Sequence, residues 1–99
     1  MNELQKARRE IDRIDRAAAK LFERRLEAAK RAAAAKRAAG LPLVDPAREE
    51  ELIASRSAEI KNAAHLPYYK EYVEKVVELS KAYQRAQFPE NDGTKEEKP

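Results

Sequence analysis

Arg25 and Lys36 lie eleven positions apart in the stretch FERRLEAAKRAAAAKRAAG, residues 22–40. Eleven residues are close to three turns of an α-helix, so the two cations share a face about 16 Å apart along the axis. Alanine occupies positions 28, 29, 32, 33 and 35. Small residues between two cations on one face can wall a pocket for a small anion. The same stretch also reads as helix filler carrying solvated charges. Arg25 makes the second reading awkward, because it falls on the packing stripe of its helix. A buried charge there needs a partner: Asp12, Asp15 or Glu49 from this or a second chain, or a ligand.

Further along the chain, Arg48 is placed in the first turn of a second helix, where the helix dipole disfavours a cation. An anion bound there would gain both the guanidinium and free backbone N–H groups. Glu49 either pairs with Arg48 or accepts a hydrogen bond from a hydroxyl. Ser80 and Gln84, four residues apart, share one face of a third helix among valines and tyrosines. They either close a pocket or bond one helix to another. Arg8 precedes Arg25 by seventeen residues, roughly 25 Å of helix, and points to another side. It reaches the Arg25 site only from a second, antiparallel copy, and is otherwise a surface arginine. His65, beside a helix break and without a second histidine, is assigned to a loop and not to catalysis. Tyr68, Tyr69, Tyr72 and Tyr83 are assigned to core and interface.

These residues require three helices to position them. Leu4, Ala7, Ile11, Ile14, Ala18, Leu21, Arg25, Ala28, Ala32 and Ala35 follow steps of three and four, a helical seam at nearly coiled-coil spacing. The spacing predicts a helix over about 3–39, roughly 55 Å long, stopped by Gly40 and Pro42. Asp45 is a good N-cap and Pro46 a good first residue for the second helix, which carries Leu52, Ile53, Arg56 and Ile60. Pro67 opens a third helix that ends near Phe88. Residues 1–88 form one all-α domain, and the polar stretch 89–99 reads as a disordered tail. The two shorter helices fold back along the first, and the stripe left over pairs with a second copy in an intertwined dimer of C2 symmetry.

The bulk composition is consistent with this. The chain has 99 residues, a formal charge of +3, and 39% charged against 6% aromatic residues, which suits helices rather than a sandwich or barrel. A single domain of this size has a small core and often completes it by oligomerisation. There is no cysteine and one histidine, which excludes disulfides and thiolate sites and makes a protein-only zinc site a poor fit. MNELQKARRE has no apolar signal-peptide core and no run approaches a membrane span; a cytoplasmic protein is expected. Basic residues concentrate between Lys6 and Arg37, which favours anionic partners without choosing among them.

REIDRIDRAAAKLFERR, then Lys36, then GLPLVDPAREEE, then LPYYKEYVEKVVELSKAYQ, in that order over residues 4–87, closely resembles the all-helical class of chorismate mutases. The resemblance implies an intertwined homodimer of three-helix chains that converts chorismate to prephenate without a cofactor. It implies that Arg25 holds a substrate carboxylate, and that Arg8 enters across the dimer from the other chain. Lys36 contacts a carboxylate and the ether oxygen, and Gln84 faces the ether oxygen. Arg48 binds substrate, with Asp45 and Glu49 near its hydroxyl and Ser80 beside them. The chain departs from the family where the first helix reads AAAKLF instead of a leucine-rich stretch, so the core beside the polar set looks thinned. A pericyclic rearrangement needs no nucleophile, metal or proton shuttle, which fits the side-chain inventory. The competing readings are a non-enzymatic basic helical dimer that binds nucleic acid or another anion, and a purely structural coiled coil. Interleaved acidic residues and the lack of a nucleic-acid motif count against the first; neither nucleic acid nor membrane is expected as a partner.

Overall fold

The chain folds as three α-helices and one short turn, described for residues 1–89 in a computed structural model. Helix α1 spans Glu3–Ala39, α2 spans Pro46–Ser57, and α3 spans Leu66–Gln87, with a single 3-10 turn at Ala63–His65 between the last two. The tail assigned from sequence lies, from residue 90 onward, outside the described residues.

Local chemistry accounts for each boundary. The Asn2 side chain accepts from the Gln5 backbone N–H at 2.8 Å while the Gln5 side chain accepts from the Asn2 N–H at 3.1 Å, a reciprocal cap on α1. Gly40 ends the helix at φ 70°, a left-handed conformation that costs glycine little. Leu41 N–H then returns to the Lys36 carbonyl at 2.8 Å, which satisfies an otherwise orphaned acceptor. Asp45 caps α2 by accepting from Arg48 N–H at 3.1 Å, and Pro46 follows it. Asn62 caps the 3-10 turn through Ala64 N–H at 2.9 Å, and Pro67 lies in the first turn of α3. Helix α2 stops at Ser57, so Ile60 falls beyond it rather than on its apolar face.

Helix α3 is the hub, packed against both α1 and α2. Its pairings with α1 advance in the same direction along both helices: Arg25 with Ser80, then Ala29 with Gln84. The two helices therefore run parallel over this stretch. The apolar core is small, made of Ala33, Leu43, Val73 and Val77. Residues 1–24 are all exposed, which leaves a stripe of α1 uncovered as expected. Contrary to the expectation that both short helices fold back along α1, α3 covers only its C-terminal part and α2 packs on α3. Ile14 and Leu21 are each 58% exposed, and Leu4 and Ile11 are similarly bare. The chain measures 61 × 25 × 24 Å with a radius of gyration of 17.3 Å, against about 13 Å for a compact domain of this length. Tyr68 and Tyr72 are also exposed, at 75% and 61%, so neither is core in the single chain. They lie one turn apart on α3, where the Tyr72 ring meets that of Tyr69 at 5.7 Å between centroids.

Candidate functional site

The polar residues singled out from sequence converge where the C-terminal part of α1, the N-terminus of α2 and the C-terminal half of α3 meet. Arg25, Lys36, Asp45, Arg48, Glu49, Ser80 and Gln84 line one cleft, with Leu43, Leu52, Val77 and Lys81 completing its wall. Helical periodicity explains the convergence. Arg25 and Lys36 face the same way from α1, Ser80 and Gln84 face the same way from α3, and the Gly40 turn carries the chain back so that the α2 N-terminus closes the third side.

Within the cleft the side chains satisfy one another. Arg25 donates to the Ser80 hydroxyl. Lys36 Nζ donates to the Leu43 carbonyl at 3.0 Å, and Gln84 Nε2 donates to the Ala29 carbonyl at 2.7 Å. Arg25 therefore finds a neutral hydroxyl as its partner and not Asp12, Asp15 or Glu49. Lys81 Nζ meets Glu49 Oε1 at 3.1 Å in a pair that is only about a quarter exposed on each side. Arg48 pairs with Glu51 at 3.1 Å, not with Glu49. Adjacent residues on a helix diverge by about 100°, whereas residues three apart are neighbours. Glu49 thus turns toward α3 while Arg48 and Glu51 meet at the surface. Glu78 is held below its ordinary carboxyl range by a hydrogen bond from Lys75 and then by that ammonium's charge; the pair lies at the α3 surface and does not line the cleft.

The cleft holds about 90 Å³, below the ~300–1,000 Å³ usual for small-molecule sites. Its volume is limited by the long side chains lying across it. A broader depression of about 790 Å³ flanks Arg25, lined by Leu21, Arg24, Glu27, Arg31 and Tyr83. It is larger but open, built almost wholly from one helix, and gathers none of Lys36, Arg48, Ser80 or Gln84. The convergent cleft has the better chemistry.

Arg8 is not part of this cleft. It borders a shallow groove on its own helix with Gln5, Arg9, Asp12, Arg13 and Arg16. His65 sits in the 3-10 turn, within 3.4 Å of the Asn62 amide, and is no part of the site. Among the described residues no group of three or more His, Cys, Asp or Glu side chains comes together to hold a metal, and no helix is long and apolar enough to cross a membrane. Sequence reasoning missed Lys81 and the two backbone acceptors, Leu43 and Ala29. Glu49 and Lys81 are 32 positions apart, and nothing local to either signals the pair.

As an arrangement, the cleft offers four cationic groups against two carboxylates, with a hydroxyl and an amide, around a space for an anion, and no nucleophile activated by a base. It suits binding and polarising a multiply charged small molecule. A family model described as chorismate mutase type II matches residues 7–85, a span that contains every cleft residue and Arg8. No curated protein and no solved structure matches the chain.

Proposed function

The chain belongs to the chorismate mutase type II family, and from that premise we propose that it rearranges chorismate to prephenate in the cleft between its three helices. The observation that carries this reading is the meeting of Arg25, Lys36, Arg48, Ser80 and Gln84, drawn from all three helices, around one small cleft.

The reaction breaks the ether C–O bond and forms a C–C bond in one cyclic shift of electrons, with no proton transferred. The protein must hold a dianion in its compact chair-like form and oppose the negative charge that grows on the ether oxygen. Arg25 takes one carboxylate, and its long, charged fork restricts the substrate's torsional freedom. Lys36 and Gln84 donate toward the ether oxygen, where a preorganised donor is worth about 3 kcal/mol. Their present acceptors, the Leu43 and Ala29 carbonyls, already hold both groups at the cleft wall, so little reorganisation is needed. Arg48 turns from Glu51 to the substrate, Ser80 is released by Arg25, and Asp45 and Glu49 receive the substrate hydroxyl.

The working unit in this proposal is a homodimer in which Arg8 of one chain completes the cleft of the other. Two features support it. The apolar stripe of α1 from Leu4 to Leu21 is uncovered in the single chain. Arg8 stands on that same uncovered half, roughly 25 Å from Arg25 along the helix, beyond reach of its own cleft.

The test is chorismate consumption followed by ultraviolet absorbance, with prephenate identified as product and Arg25→Ala as control. Saturable loss that collapses in the control supports the reading. A rate equal to that of buffer, from helical protein, overturns it.

A further inference from the structure

Resting on the chorismate mutase reading, we propose that Lys81 is a positioning residue of the active cleft, holding the Glu49 carboxylate where it receives the substrate hydroxyl. The pair joins α2 to α3 at 3.1 Å, and both side chains are about three-quarters withdrawn from solvent. That sets it apart from the ion pair of Arg48, the cleft cation on α2, which meets Glu51 at the surface, where both partners are more than half exposed. Its neighbour Arg48 pairs with Glu51, and Lys81 is the group that meets Glu49.

Two consequences follow from that geometry. The first is orientation. A glutamate on the first turn of α2 has three side-chain torsions, and one hydrogen bond from a fixed helix removes most of that freedom before substrate arrives. The second is charge. The cleft carries Arg25, Lys36, Arg48 and Lys81 against Asp45 and Glu49, which leaves two positive charges for a dianion. Without Lys81, Glu49 becomes an unpaired, partly buried anion facing a substrate of the same sign.

The substrate hydroxyl does not react. A contact to it is made equally in the ground state and the transition state, so losing it raises KM and leaves kcat nearly unchanged. This pattern differs from that of the ether-oxygen donors, and a merely structural role for Lys81 does not produce it.

The experiment compares full-length wild type, Lys81→Met, Lys81→Arg, Glu49→Gln and the Lys81→Met/Glu49→Gln double variant, each checked for helix content. Lys81→Met is expected to raise KM about tenfold, at the low end of a charge-assisted hydrogen bond, with kcat held within about threefold. Lys81→Arg restores KM. In the Glu49→Gln background the same Lys81→Met change costs under about threefold, because the carboxylate it positions is already gone. An unchanged KM in Lys81→Met overturns the inference, as does a tenfold loss that persists in the Glu49→Gln background, which means Lys81 touches substrate itself. Folded wild type without chorismate turnover overturns the parent reading and this one with it, a result distinguishable from an active wild type indifferent to Lys81.

Discussion

Gln84 donates its side-chain amide to the Ala29 carbonyl oxygen at 2.7 Å, tying α3 to α1 at the wall of the cleft. Gln84 is 7% exposed, so its amide is confined whether or not substrate is present. A structural bond and a proposed catalytic donor are here the same group.

An amide donates at any ordinary pH, whereas a carboxyl group donates only when protonated. The wild-type rate is therefore expected to be flat on the acid side between about pH 5 and 8. In Gln84→Glu the new carboxyl donates to the ether oxygen only while protonated, so its own pKa sets the rate. Its activity then falls as pH rises through that value and recovers as pH falls. A pH–rate profile of both proteins checks this, and a wild-type rate that climbs steeply with acidity removes Gln84 from the ether oxygen.

Lys36→Ala and Arg25→Ala should each lower kcat/KM by about a hundredfold or more, the usual loss for a donor aimed at developing or fixed negative charge. His65→Ala, in the exposed 3-10 turn, should stay within about twofold. Steady-state kinetics on folded variants separates the two groups; equal losses sink the assignment of the cleft.

Arg8 allows a complementation test. Arg8→Ala and Arg25→Ala homodimers should each be nearly inactive while remaining helical. In a hybrid dimer one site has both defects and the other has none. Mixing and re-equilibrating equal amounts of the two should recover about a quarter of wild-type activity, since half of the dimers are then hybrids with one intact site. No recovery, with exchange demonstrated by labelled subunits, places Arg8 outside the site.

The uncovered stripe predicts concentration-dependent stability. Ile14→Glu puts a charge in the middle of the stripe and should convert the chain to monomer in sedimentation, with a loss of helix content, because one helix half of this length has little to pack against alone. A monomeric wild type of full helicity overturns the dimer.

Gly40→Ala should destabilise by about 1 kcal/mol through the left-handed φ alone, because the added methyl finds nothing within 4 Å. Thermal unfolding at fixed protein concentration measures it, and an unchanged midpoint means the turn relaxes.

Local sequence was enough to determine the helices and the residues on each cleft-facing stripe. Asn2, Gly40, Asp45 and Pro46 act on their nearest neighbours, so their caps and stops are legible one segment at a time. The i, i+4 pair Ser80 and Gln84 and the eleven-residue spacing of Arg25 and Lys36 report a shared face for the same reason. Tertiary structure decided which groups meet across helices. Arg25 pairs with Ser80 from 55 positions away, Lys81 reaches Glu49 rather than leaving it to Arg48, and α3, rather than the long α1, became the hub. These outcomes depend on the relative placement of rods whose contact surfaces are small and mostly alanine and valine. Helical periodicity states which side of a rod faces inward, but not which rod it faces or at what depth.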